Sequence, residues 1–282
     1  MIAQADIDRF AREGFVVVPD VFSLEEMGRF LSAVDAAVGQ RSATARPMAE
    51  RSEYERMFTQ YYNLWETSLD VRRLTFEPRI AQIASALLGV PALRVYCDQS
   101  FYKDPGSSDT GPHQDYTLLS IEETQTVNAW IPLEGSTVDA GALGYLPGSH
   151  KLGRVTNLDL VLGRDPFESQ ELRALLANPV FVELAPGSVA FHHVLTFHLS
   201  TPNRSSRTRK AFAITYVADG STRGTSWPHA SVDRAGIAVG ERIEGPATPI
   251  VWPPPGALPP TPPANTNPPR GWPGFKPSAE IA

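Results

Sequence analysis

Residues 111–120 read GPHQDYTLLS and set His113 and Asp115 one residue apart in a chain with only 6 histidines. On an extended strand the side chains at i and i+2 point to the same side, so this imidazole and this carboxylate can converge on one ion. Non-haem iron(II) centres that activate O2 are held by two histidines and one carboxylate on one face, with the opposite positions open. His113 and Asp115 supply two of those three groups. Alone, such a pair reads as two solvated polar residues in a loop, so a second histidine from another strand has to decide.

The candidates for that third ligand are His150, His192, His193 and His198, while His229 lies far towards the C-terminal end. His198 stands in HLSTPNRSSRTRKAF, just before a strong strand pattern, with Ser200 two residues on and Arg209 eleven residues on (209 − 198). Strand alternation lets the histidine and the arginine both face a barrel interior. A guanidinium buried there needs an anion, because an unpaired buried charge is very costly. Arginine grips carboxylates bidentately. A dicarboxylate that chelates iron at one end and meets Arg209 at the other satisfies both groups, and 2-oxoglutarate is such a molecule. Arg207 shares the parity of Arg209, which is favoured for its place against KAFAITY. His192 or His193 is expected to point inward as a supporting donor. His150 is read as structural or near the substrate, not as a metal ligand, and Lys103 could face the pocket, with the surface favoured.

The elements that must carry these groups change character along the chain. Residues 4–13 read as a helix leading into FVVV at 15–18. Ser23 and Glu26 fit a capping box ahead of the helical spacing of Leu24, Met27, Phe30, Leu31 and Val34. A helix over 79–89 is stopped by Gly89 and Pro91. FTQYYNLWETS (58–68) is aromatic in a polar setting, and Tyr61, Tyr62 and Trp65 are placed either over the site entrance or in the core. From about 92 onward the runs 93–102, 126–133, 142–147, 180–185, 188–193 and 210–218 are short, β-branched and bounded by turn formers. That pattern predicts an all-β sandwich or barrel, with a helical insert near 168–177.

The chain has 282 residues, 42% of them hydrophobic and 20% charged, and a net charge of −6. It is long enough to bury a large core unaided. Its acidity argues against nucleic acid or an anionic membrane as a main partner. The single cysteine, Cys97, excludes intramolecular disulfides and thiolate clusters. No run is long and apolar enough to span a bilayer, and the start MIAQADIDRFAREGF does not read as a signal peptide, so the expected location is the cytoplasm. Residues 246–277 hold 13 of the 26 prolines. They are expected to form an extended tail over 246–282, anchored by Trp252, Trp272 and Phe275, behind a domain of residues 1–245.

Together GPHQDYT, GALGYLPGSHKLG and HLSTPNRSSRTRKA resemble the phytanoyl-CoA dioxygenase family of Fe(II)/2-oxoglutarate oxygenases, over roughly residues 10–218. The resemblance implies a mainly β double-stranded β-helix, a cupin-like jelly roll, over about 91–220, with flanking helices in the first 90 or so residues. It implies iron ligands His113, Asp115 and His198. It further implies a clamp for the 2-oxoglutarate C5-carboxylate at Arg209 helped by Ser200, with Gln114 and Trp130 lining the cosubstrate pocket. Fe(II), 2-oxoglutarate and O2 are the implied reactants, with hydroxylation or another C–H oxidation of a small organic substrate and release of succinate and CO2. Halogenating relatives carry a small residue at the carboxylate position, so Asp115 implies a hydroxylase. Two other readings stay open: a cupin-like metalloenzyme that does not use 2-oxoglutarate, and a non-catalytic jelly-roll binding module.

Overall fold

The computed structural model describes residues 2–42, 58–155, 174 and 176–263. Among the described residues the strands are β1 Phe15–Val18, β2 Thr59–Tyr62, β3 Leu93–Lys103, β4 Thr110–His113, β5 Thr126–Pro132, β6 Leu143–Tyr145, β7 Val180–Phe181, β8 Val189–His193, β9 His198–Ser200, β10 Arg209–Ala218 and β11 Ile250–Trp252. The larger sheet has the order β1-β8-β5-β10-β3-β11, with β2 also on β3, and the smaller has the order β4-β9-β6-β7. All pairings are antiparallel. The result is the expected jelly roll.

Why the cavity lies between the sheets is visible in β10. Its residues alternate large and small, with Phe212, Ile214 and Tyr216 on one face and Ala211, Ala213 and Thr215 on the other. The large side chains join the main core under the helices, and none of the three is exposed. The small ones face the other sheet and leave space there. Both faces are covered, so the polar residues of the central strands, among them Asp98, Asn128, His192 and Arg209, are buried with the apolar ones.

Four helices cover the outer face: α1 Gln4–Glu13, α2 Leu24–Ser42, α3 Leu69–Thr75 and α4 Pro78–Leu88; a short α5 spans Ala230–Asp233. The capping box at α2 forms as expected, with Ser23 N–H donating to Glu26 Oε2 at 2.8 Å and Glu26 N–H to Ser23 Oγ at 3.2 Å. α4 carries proline at its first position and ends on Gly89 in the left-handed region. The helical insert expected near 168–177 falls almost wholly outside the described residues. Of the Pro-rich stretch, 250–252 adds an edge strand to β3. Arg72 donates to the Pro259 carbonyl and to Thr261 Oγ1 beyond it. Trp272 and Phe275 lie outside the described residues.

The pairings put inward-facing side chains into rungs. In the large sheet Phe15, His192, Asn128, Thr215 and Cys97 share one rung. Arg209 and Lys103 face each other three rungs away. In the small sheet His113, His198 and Tyr145 form one rung, and Thr110, Ser200 and Leu143 the next.

β8, which carries His192, is fastened to the helical layer where Phe22 N–H donates to the Gly187 carbonyl. Gly187 has φ +93°, and a Cβ there would come 2.3 Å from the Phe22 carbonyl oxygen. Gly187→Ala is expected to lower stability by about 1–3 kcal/mol. Equilibrium urea unfolding checks this, and an unchanged midpoint would mean that the turn tolerates a side chain.

Candidate active site

His113 ends β4 and Asp115 opens the following 3-10 turn, while His198 starts β9. Their ligand atoms lie within 4.8 Å of one another. Asp115 Oδ1 is 3.8 Å from His113 Nε2 and 3.5 Å from His198 Nε2. Each histidine is oriented by its other nitrogen: His113 Nδ1–H donates to the Gly111 carbonyl at 2.9 Å and His198 Nδ1–H to the Thr196 carbonyl at 3.1 Å. That leaves both Nε2 lone pairs aimed at the same point. Two neutral imidazoles and one carboxylate, three ligands with open positions opposite, match the donor set of a non-haem iron centre.

The second carboxylate oxygen is engaged elsewhere. Asp115 Oδ2 accepts from Asn128 Nδ2 at 3.1 Å and from His192 Nε2–H at 3.0 Å. His192 Nδ1 accepts in turn from the Tyr145 hydroxyl at 3.2 Å. These donors fix the carboxylate so that Oδ1 faces the histidines. The neighbouring imidazoles, led by His198, overcome the cost of burial and hold Asp115 below the usual carboxylate range. Burial pushes His113 and His198 down to about 4, so both are neutral at neutral pH.

Further along the cavity the chemistry becomes cationic. Arg209 is 6% exposed and donates to the Phe101 carbonyl at 3.1 Å, but its Nε has no partner. Its guanidinium lies 5.3 Å from the centre of the Trp130 ring. Opposite it Lys103 is 0% exposed and donates from Nζ to Ser200 Oγ at 2.8 Å; Ser200 Oγ donates to Thr110 Oγ1 at 3.0 Å. Burial, and then the Arg209 charge, lower the Lys103 amine to about 7. Among the described residues no carboxylate forms an ion pair with either cation. Two buried cations with two hydroxyls between them call for an anion.

His113, Asp115, His198, Ser200, Arg209 and Trp130 therefore meet around one cavity of about 840 Å3, mouth included. Gln114 does not join them. It sits between two inward-pointing residues and points out, donating to the carbonyls of Gly153 and Leu195 and accepting from Val155 N–H. It ties loops together behind the site. Arg207 is exposed. His193 accepts from Leu195 N–H, and His150 Nε2 lies 3.2 Å from the Ala11 carbonyl, so neither faces the triad. Tyr62 reaches the cavity, Trp65 is buried in the core, and Tyr61 meets Ser42 at 3.1 Å.

Besides Gln114, sequence reasoning misjudged two residues. Lys103 is buried, not on the surface. Its parity in SFYK, two after Phe101 on an inward face, is the signal that was available. His229, set aside as distal, lines the cavity. No local pattern marks it, because it arrives on a loop.

A family model described as Phytanoyl-CoA dioxygenase (PhyH) matches residues 10–211. A Caenorhabditis elegans phytanoyl-CoA dioxygenase domain-containing protein 1 homolog is 23% identical over 254 residues, covering 73% of this chain and 88% of that protein. A probable alpha-ketoglutarate-dependent hypophosphite dioxygenase of Stutzerimonas stutzeri is 27% identical, covering 77% of each chain. Among solved structures, a non-heme alpha ketoglutarate dependent carbocyclase from nogalamycin biosynthesis superposes with a TM-score of 0.72 at 26% identity, covering 88% of this chain and 96% of that one.

Four buried imidazoles set the acid response of the apoprotein. Burial lowers His113, His193 and His198 to about 4 and His229 to about 3, from 6.5. Between pH 6.5 and 4 the unfolded chain binds protons that the folded chain refuses, so stability falls as pH drops through that window. Asp98 acts the other way, since burial raises it from 3.8 to about 7 and the folded chain holds its proton longer. Glu66, raised chiefly by burial, acts with Asp98; four groups outweigh these two, and chelator-treated protein is expected to lose melting temperature steadily from pH 6.5 to 4.5. A flat profile would refute the burial of these neutral rings.

Proposed function

Since the chain belongs to the phytanoyl-CoA dioxygenase family, we propose that His113, Asp115 and His198 hold iron(II) and that Arg209 anchors the C5-carboxylate of 2-oxoglutarate. The protein is a non-haem Fe(II)- and 2-oxoglutarate-dependent dioxygenase that oxidises a small organic substrate. The observation that carries the residue assignment is the partnerless Nε of buried Arg209, on the same cavity as three convergent ligand atoms. A triad alone fits any metalloenzyme. A triad with an uncompensated buried cation on the same cavity fits a chelating dicarboxylate. His198 and Ser200 are two residues apart on β9, about 6.6 Å along the strand, so a hydroxyl lies that far from the histidine's backbone position on the same face.

When bound, the iron supplies reduction of O2 coupled to decarboxylation of 2-oxoglutarate, giving succinate and CO2 and placing one oxygen on the substrate. The chain's own residues prepare for that. His113 and His198 present fixed lone pairs. Asn128, His192 and Tyr145 hold the Asp115 carboxylate in one orientation. Lys103, Ser200 and Thr110 add donors to the anion site of Arg209, and Trp130 supports the guanidinium face. The Asp115 carboxylate occupies the position that a halide would need, so the reading is a hydroxylase or related C–H oxidase, not a halogenase.

The proposal extends to organisation. Residues 1–245 constitute the oxygenase domain and 246–282 its Pro-rich extension. No helix among the described residues is long and apolar enough to cross a membrane. The expected setting is the cytoplasm, with a small molecule rather than nucleic acid as partner.

Anaerobic titration with Fe(II) and 2-oxoglutarate tests the assignment through the weak visible charge-transfer band of a chelated keto acid. Wild type is expected to show the band, His198→Ala to lose it, and Arg209→Ala to need roughly 10- to 100-fold more 2-oxoglutarate, the range for a buried charge-assisted bond. Iron binding without a band would favour the cupin-like reading. Equal affinity in Arg209→Ala would remove that residue from the anion site.

A further inference from the structure

The metal ligands and the anion site use only part of the cavity. The remaining wall carries Gln60, Tyr62, Gln99 and His229, with Phe58 and Phe101 beside them. Gln60 Nε2 donates to Gln99 Oε1 at 2.7 Å and to the Tyr62 hydroxyl at 3.0 Å. Phe58 and Phe101 meet edge to face, with centroids 5.4 Å apart, and Tyr62 and His229 meet edge to face at 6.3 Å. Among the described lining residues, Asp115 and Arg209 are the only Asp, Glu, Lys or Arg. With those two committed to the metal and to 2-oxoglutarate, this wall offers no counter-charge.

His229 is placed there with care. It lies beyond the family match, which ends at 211, on a loop tied by Arg223. The Arg223 guanidinium donates to the carbonyls of Thr225, Trp227 and Ile237 and to Asp233 Oδ1. Asp233 Oδ2 accepts the His229 backbone N–H at 2.7 Å. The register of β10 against β3 passes over Tyr96, and the Tyr96 ring lies 4.4 Å from that of His229. His229 Nδ1 accepts from Ser231 N–H at 3.3 Å, so the ring proton sits on Nε2. No partner for that N–H is found among the described residues. Burial and the Arg223 charge lower the imidazole to about 3, so it does not become a cation near neutral pH.

We propose that this wall is the substrate-recognition face, and that it selects an uncharged aromatic-ring substrate bearing a carbonyl or hydroxyl oxygen that accepts from His229 Nε2–H. The inference rests on the iron and 2-oxoglutarate reading above. Aromatic edges and faces suit a flat apolar body. A phosphate or carboxylate brought against this wall would be desolvated without a counter-charge, whereas a neutral oxygen needs only the donor that His229 supplies.

The test uses the full-length enzyme loaded with Fe(II) and 2-oxoglutarate under nitrogen. Chrysin and 1,8-dihydroxyanthraquinone are the uncharged phenolic probes, and methylphosphonate and palmitoyl-CoA the anionic ones. Equilibrium dialysis reads binding, and succinate release after admitting air reads turnover. At least one phenolic is expected to bind and to stimulate succinate release, and neither anion to do so. His229→Ala is expected to weaken phenolic binding about tenfold, with His229→Gln, which keeps a donor, recovering most of it. The charge-transfer band must persist in both variants. Binding of an anion in preference to both phenolics, binding of neither phenolic, undiminished binding in His229→Ala, or loss of the band in that variant each overturns the proposal. Absence of the band in wild type overturns the cosubstrate reading instead and takes this inference with it.

Discussion

The structure depends on the way one carboxylate is shared between two sheets. Asp115 follows β4 of the small sheet, yet its Oδ2 is held by Asn128 of β5 and His192 of β8 in the large one. Each hydrogen bond to a charged acceptor is worth a few kcal/mol at most. Their joint effect is geometric. With Oδ2 committed, Oδ1 has a single orientation, towards His113 and His198. The jelly roll brings four strands to one point, and the triad exists only where they meet. Tyr145 closes the chain from the small sheet again through His192, so the two sheets are cross-linked at the site itself.

The anion site shows the opposite economy. Arg209 and Lys103 are buried as adjacent partners on β10 and β3, and like charges so placed weaken the fold. An anion bound between them would supply the missing charge. The small inward residues of β10, Ala211 and Ala213, serve the same end. A tighter core would stabilise the empty protein and leave the anion no room.

The loop after β10 adds a different kind of control. The family match ends at 211, and beyond β10 the chain crosses back to the cavity under the direction of Arg223. His113, His198, Ser200 and Arg209 sit on strands, where register holds them, and Asp115 opens the turn directly after β4. His229 sits on a loop, where a few hydrogen bonds decide its position. Chemistry shared across a fold is suited to the rigid part and selectivity to the variable part.

Local rules fixed much of what the chain does. H-x-D at 113–115 was readable because side chains two apart on a strand share a face, and Arg209 because it stands directly against the strand pattern KAFAITY. The capping box at Ser23 and the stop at Gly89 were readable because backbone chemistry alone demands them. The short strands β4 and β9 were not, being three or four residues long and stabilised by pairing rather than by composition. Gln114 was misplaced although the same alternation that aims His113 and Asp115 inward must aim it outward. Lys103 was misplaced because lysine is rarely buried, and its partner, Ser200, comes from the other sheet. His229 lies 114 residues (229 − 115) from Asp115, and nothing local in SWPHAS marks it. Its position comes from Arg223 and Asp233, that is, from contacts that exist only once the chain has folded.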